Sequence, residues 1–387
     1  MSAVSAPNRV IGKDVKAPRD AAAPWRHVDV FLVALTMSLA GMGLLLIFSA
    51  TQHKEAVGDI SASGYLKRQA LWVALGVVAM VVTAAVDYRV LRDLSPVLYV
   101  GTVLVLLAVL SPLGTSSRGA QAWFQFGSFQ LQPSEYAKLV FILCLAGYCA
   151  AHRGDLDIRR LVTVLAVASV PVALIYRQPD LGTDLVFIAI LMAIVLVAGA
   201  RPRHIAALTL LGIVGVVAVF QLGVLKEYQI ERLGAFLDPR GDTQRSTYNL
   251  NQSVNAIARG GLAGKGLLQG KETNLSYVPE QQTDFIFTVV GEELGLAGAT
   301  TLLALFALLV WRIWRAAALA RDLLGTLICV GVLAMIVLQM FENVGMTMGI
   351  MPIIGIPLPF LSYGGSATIA SFAAIGLVLN VHMRRFT

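Results

Sequence analysis

Ten apolar runs of 16 to 26 residues divide this chain. Each is close to the length that a helix needs to cross a bilayer core of about 30 Å. They lie at Val30–Ala50, Ala70–Val86, Leu94–Leu113, Ser134–Ala151, Leu161–Tyr176, Leu185–Ala200, Ile205–Val224, Phe285–Val310, Leu323–Met340 and Ser366–His382. In hydrocarbon a backbone must satisfy its own hydrogen bonds, so each run predicts a helix. With 57% of residues hydrophobic, only 14% charged and a mean hydropathy of +0.74, too little polar surface remains to cover a water-soluble fold. The same figures exclude an intrinsically disordered chain. The expected fold class is an all-α polytopic membrane protein with about ten transmembrane helices. One domain over residues 27–387 follows a disordered tail over 1–26, and the first run reads as a retained helix rather than a cleaved signal.

The net charge of +7 would raise nucleic-acid binding for a soluble protein. Here it reads as orientation. Alternate non-membrane segments, from the tail to Arg384 and Arg385, hold 17 of the 30 Lys and Arg residues, which predicts that they and both termini face the cytoplasm. No nucleic-acid partner is expected. Cys144, Cys149 and Cys329 sit in apolar runs with no metal or disulfide spacing and read as fillers.

On the opposite face the segment 226–284 holds seven basic residues, seven acidic residues and seven glycines, and reads as one large extracytoplasmic loop between helices 7 and 8. Within it Leu250, Val254 and Ile257 form a stripe that predicts an amphipathic helix over Thr247–Ala258, lying near the membrane face. The glycines between Gly260 and Gly270 would let backbone approach a ligand closely.

Ionisable residues within or beside a membrane span are functional candidates by default. In QPSEYAK, Glu135 and Lys138 are three apart and share a helix face, which suits either a structural clamp or a site. In RQPDLGTD, Asp180 either caps the next helix or serves a ligand. In VPEQQTDFIFTVVGEELG, Asp284 stands at the water–hydrocarbon boundary, a placement that suits a general base and equally an N-cap. Glu292 and Glu293, two turns deeper, need structural partners. In FENVGMTMGIMPIIGIPLPFLSYGGSAT, Pro352, Pro357 and Pro359 forbid a regular helix, and the segment predicts re-entrant backbone beside a cavity between helices 9 and 10. Arg118, Lys138, Arg177, Arg259, Lys265 and Lys271 are cations suited to an anionic diphosphate. With no Walker loop, HExxH, GxSxG or dinucleotide fingerprint, a transporter and a lipid-substrate enzyme both stay open.

These stretches, together with RGAQAW from Arg118 to Trp123, resemble the motif set of the SEDS family (shape, elongation, division and sporulation), in family order from Gly119 to Ser366. GIPLPFLSYGGS and FENVGM are closer to the RodA-type elongation branch than to the FtsW-type division branch. The resemblance implies a peptidoglycan glycosyltransferase of the bacterial cytoplasmic membrane. It would polymerise lipid II on the extracytoplasmic face and release undecaprenyl diphosphate. Its partners would be lipid II, the nascent lipid-linked glycan, membrane lipid and a class B penicillin-binding protein. Asp284 matches the family's essential acidic residue and Trp123 its functional tryptophan. The motifs and the cations beside them then give Arg118, Trp123, Glu135, Lys138, Gln178, Asp180, Arg259, Lys265, Lys271, Glu280, Ser362 and Ser366 as substrate-binding candidates. A divalent cation such as Mg2+ or Mn2+, held by Asp284 or Glu135, would do the same work as the basic residues. A lipid II flippase and a non-catalytic scaffold are the rival readings. A flippase needs polar groups across the midplane, whereas these candidates gather at one end.

Overall fold

The computed structural model describes residues 24–52, 61–117, 120–127, 129–152, 157–221, 230, 232, 234, 236, 245–275 and 277–386. Arg118 and the tail up to residue 23 lie outside the described residues. The apolar runs form α1 (Val30–Thr51), α2 (Ala62–Ala85), α3 (Tyr88–Leu110), α4 (Pro133–Ala151), α5 (Ile158–Arg177), α6 (Leu181–Val197) and α7 (Pro202–Gln221). Between α7 and the eighth apolar run lie α8 (Arg245–Gly260) and the short α9 (Lys271–Asn274). Then come α10 (Ile286–Ala318), α11 (Leu323–Thr347) and α12 (Gly365–Met383). Among the described residues eight helices are long and apolar enough to cross a membrane, and α6, at 17 residues, is shorter. Several helices outrun the apolar stretches that announced them, because a helix continues through polar residues at the membrane boundary: α2 takes in Lys67, Arg68 and Gln69, and α11 runs on to Thr347.

The all-α expectation omits a small sheet. β1 (Thr115–Ser117), β2 (Ala120–Phe126) and β3 (Phe129–Leu131) pair antiparallel in that order, and Phe126 opposes Phe129 across a tight turn. Gly127 adopts φ +60° there, the left-handed geometry that such turns require.

α12 is apolar on every side and buried nearly throughout, so it forms the axis of the bundle and packs lengthwise on α2. α3 instead turns Val97, Val100 and Leu104 outward, as a lipid-facing helix does. Pro171 inside α5 cannot donate to the Val167 carbonyl, and Tyr99 Oη donates to that oxygen at 2.6 Å instead.

From 348 to 364 the backbone between α11 and α12 follows no regular helix, yet Ile356, Leu358, Phe360 and Leu361 are buried. Its polar groups are met by protein. Asn343 Nδ2 donates to the Ile356 carbonyl at 2.8 Å, and Leu358 N donates to Ser362 Oγ at 2.8 Å.

α8 buries Thr247, Leu250, Ser253, Ala256 and Gly260, while Val254 of the predicted stripe stays 39% exposed. The buried face is made of small residues because it packs on protein, not lipid: Ser253 Oγ donates to the Thr347 carbonyl at 2.7 Å. The glycines after α8 serve the same packing. A Cβ on Gly264 (φ +81°) would stand 2.1 Å from the Glu293 carbonyl oxygen, and Gly266 N donates to that oxygen at 3.0 Å. They bring backbone onto a π-helical turn of α10 (Val290–Leu294) rather than onto a ligand.

Candidate active site

One end of the bundle holds a cavity of 1340 Å³, walled by α2, the sheet, α4, α5, α6, α7, the turn before α10, α11 and the Pro-rich segment. Trp123, Glu135, Lys138, Asp180, Glu280, Asp284 and Ser366 all line it, although 243 residues separate the first from the last.

Asp284 lies in the turn that leads into α10. The N-cap of that helix is Phe285 and no side chain caps it, so the capping role open from the sequence is not the one Asp284 plays. Its turn is held from three sides. Asp284 N donates to the Glu280 carbonyl at 3.2 Å, Asn343 Nδ2 donates to the Asp284 carbonyl at 2.8 Å, and Tyr363 N donates to the Gln282 carbonyl at 2.8 Å. Glu280, at φ +54°, makes the sharp bend. Next to it, Gln281 Nε2 donates to Thr273 Oγ1 at 3.0 Å and to Thr288 Oγ1 at 2.9 Å, which locks the turn to α9. The Asp284 carboxylate borders Gly355, where a Cβ would come within 3.3 Å of Oδ2 and 3.9 Å of Arg232 Nη1.

Lys138 Nζ lies 2.8 Å from both oxygens of Glu135, and the two side chains are almost wholly buried. Asp180 is both a cap and a wall residue: Oδ1 accepts from Thr183 N at 3.0 Å, and Oδ2 accepts from Thr183 Oγ1 at 2.7 Å and Gln132 Nε2 at 3.1 Å. Ser366 Oγ accepts from Gln132 N at 2.9 Å and so pins the end of the sheet to α12.

Five candidates stand away from the cavity. Gln178 is buried and donates to the Leu106 carbonyl at 3.4 Å, a tie between α5 and α3. Ser362 is consumed by the turn at Leu358. Arg259 pairs with Glu272, and Lys265 and Lys271 are exposed on the glycine-rich side of the segment. Arg177 is likewise exposed and absent from the wall. Glu292 and Glu293 have structural work: Glu292 accepts from Glu272 N at 2.8 Å and Thr273 N at 3.0 Å, and Glu293 accepts from Ser49 Oγ at 2.5 Å.

The cations that do reach the cavity with Lys138 are Arg68 of α2 and Arg232, whose Nη1 donates to the Ile354 carbonyl at 3.2 Å. Neither belongs to a motif, and only the folded chain brings them in. Asp184 and Gln339 also line the wall. Asp184 is legible as the last residue of RQPDLGTD, a charge at the edge of the Leu185–Ala200 run and one helical turn after Asp180. As for a metal, both Glu135 oxygens already face Lys138, and among the described residues no three His, Cys, Asp or Glu side chains converge to hold an ion.

The cell cycle protein family model that unites FtsW, RodA and SpoVE matches residues 30–386. This chain belongs to the SEDS family. Among SEDS relatives, stage V sporulation protein E of Bacillus subtilis is 38% identical over 356 residues, covering 91% of this chain and 96% of that protein. Peptidoglycan glycosyltransferase MrdB of Escherichia coli is 34% identical over 359 residues, covering 93% and 94%. A chain solved within a peptidoglycan synthase complex that coordinates polymerization and crosslinking superposes with a TM-score of 0.80 at 32% identity, covering 93% of this SEDS chain and 99% of that one. Eight helices long and apolar enough to cross a membrane among the described residues, together with this membership, make it an integral membrane protein.

Proposed function

We propose that this SEDS protein is a peptidoglycan glycosyltransferase of the elongation type, which polymerises lipid II on the outer face of the bacterial cytoplasmic membrane. In this reading α6 and α7 complete ten spans, with both termini in the cytoplasm. The observation that carries the reading is Asp284: a carboxylate not spent on capping its helix, held in a braced turn, on the wall of a cavity that also holds Lys138, Arg68 and Arg232.

The reaction joins the C4 hydroxyl of one disaccharide to the anomeric carbon of another. The new C–O bond forms on the face opposite the departing group, so the configuration inverts. The anomeric C–O bond to undecaprenyl diphosphate breaks and its electron pair leaves with the diphosphate. Asp284 takes the hydroxyl proton as general base. A diphosphate needs no proton to depart, so one carboxylate suffices, unlike the acid and base pair of inverting glycosidases. Lys138, Arg68 and Arg232 offset the charge that grows on the diphosphate. The apolar walls contributed by α5, α6 and α7 accommodate a prenyl chain entering from the bilayer. A class B penicillin-binding protein crosslinks the product.

Purified wild-type and Asp284→Asn protein incubated with lipid II test the reading on a glycan gel. Wild type is expected to make polymer and the Asn variant none. Polymer from the Asn variant at the wild-type level sinks the assignment of the base, and transfer of lipid II across liposomes without polymer replaces the enzyme by a flippase.

A further inference from the structure

Two side chains on the cavity wall have hydrogen-bonding capacity that no described residue uses. Asp184 is 6% exposed and Gln339 2% exposed, both line the cavity, and among the described residues Asp184 Oδ1 and Gln339 Oε1 meet no hydrogen-bond donor. A buried acceptor without a donor calls for an explanation, and on a cavity wall a ligand or solvent can supply the missing donor. The neighbouring acceptors are already engaged: Glu135 by Lys138, and Asp180 by Thr183 and Gln132.

The two residues also stand at one level. α6 and α11 run antiparallel, because Gly331 meets Ile194 while Gly182 meets Ile354 and Ile356 beyond the end of α11. Asp184 lies ten residues before Ile194, and Phe341 lies ten residues after Gly331. At about 1.5 Å per residue this puts Asp184 level with the turn that carries Gln339. Both are deeper in the bundle than Asp284.

The chemistry of the set narrows the ligand. Among the described residues no three acidic, His or Cys side chains converge on a point the size of an ion. A carboxylate on one helix and an amide oxygen on another, beside the apolar Leu185, Val186 and Ile188, instead match a ligand with several separated donors and apolar C–H faces. Sugars have that pattern, with hydroxyl and N-acetyl amide hydrogens.

We propose that Asp184 and Gln339 form a sugar-recognising subsite in the cavity, accepting hydrogen bonds from hydroxyl or amide N–H groups of the substrate's glycan headgroup. The proposal rests on the polymerase reading. It makes these two residues specificity determinants, separate from the base and from the diphosphate cations.

The test compares two ligands that share the prenyl diphosphate, of which only lipid II carries the disaccharide with its peptide. In the Asp284→Asn background, where turnover cannot confuse binding, fluorescent lipid II and fluorescent undecaprenyl diphosphate are titrated onto protein in nanodiscs. Asp184→Asn and Gln339→Leu are expected to weaken lipid II about 10-fold each, the scale of one lost hydrogen bond to a charged or buried partner, and to leave undecaprenyl diphosphate unchanged. The thermal midpoint of either variant should not fall, since Asp184→Asn removes a buried carboxylate that meets no donor and Gln339→Leu removes an unmet acceptor. If Asp184→Asn does not fold, Gln339→Leu reads the same subsite. With Asp284 intact, KM for lipid II should rise while kcat changes little. Equal weakening of both ligands overturns the proposal in favour of a diphosphate or structural role. So does no weakening, and so does binding lost to a chelator only when Asp184 is present. Wild-type protein that makes no polymer at all is a different failure, that of the polymerase reading.

Discussion

Replacing Lys138 by Met should destabilise the protein by about 3–5 kcal/mol, the cost of leaving a buried carboxylate without its counter-charge. The magnitude follows from the site: Lys138 Nζ lies 2.8 Å from both oxygens of Glu135, and the side chains are 2% and 4% exposed, so water cannot take over the lost contact. Removing both charges is a different perturbation. Glu135→Gln with Lys138→Met leaves two neutral groups of nearly unchanged volume and should recover most of that stability, because desolvation then has nothing to penalise. Activity should not follow stability. Both variants lack the cation proposed to face the diphosphate and should lose polymerisation by about 10²–10³-fold, the usual effect of removing one preorganised charge-stabilising group. Unfolding of the purified proteins in a denaturing-detergent titration, read by tryptophan fluorescence, gives the first quantity, and the rate of glycan formation on gels gives the second. Equal stability of the single and double variants would refute the energetic coupling. Wild-type polymerisation by the double variant would refute the role at the diphosphate and leave the pair as a helix clamp.

Gly355→Ala should lower kcat about 3- to 10-fold with little change in lipid II binding, since its Cβ would stand 3.3 Å from Asp284 Oδ2 and push the proposed base aside by about a few tenths of an ångström, where a full 1 Å can cost about 100-fold. The residue's φ of +85° adds about 1–2 kcal/mol of strain for any side chain, which a thermal melt would register. Normal turnover by Gly355→Ala would mean that Asp284 need not sit where it does. Lys265→Ala and Lys271→Ala should polymerise at the wild-type rate, because both side chains point to solvent away from the cavity wall. A large loss on the same gel would return them to the site.

Much of the architecture could be read directly, because a membrane penalises any unpaired backbone and forces apolar runs into helices. The helix ends were harder. Polar residues such as Lys67, Arg68 and Gln69 continue α2 past the hydrocarbon, and hydropathy does not register them. The sheet around Trp123 leaves little trace in the sequence because its strands are only three to seven residues long and interrupt an otherwise helical chain. α8 illustrates a further gap: its stripe was visible, but whether Leu250 and Ser253 or Val254 would be covered depended on what the helix packs against.

The sequence by itself determined that this is a membrane protein, that it carries the SEDS motifs, and that Asp284, Glu135, Lys138 and Asp180 are the polar residues to watch, because burying charge near lipid is costly enough to be informative wherever it occurs. Only the tertiary structure decided which cations accompany them. Arg68 and Arg232 join Lys138 at the cavity, while Arg259, Lys265 and Lys271, nearer to Asp284 along the chain, are turned aside by the glycine packing against α10. The physical reason is that sign and spacing of charge are local properties of a sequence, whereas the meeting of side chains 100 residues or more apart depends on how helices pack. The unmatched oxygens of Asp184 and Gln339 belong to the second kind: their lack of a partner exists only once α6 and α11 lie side by side.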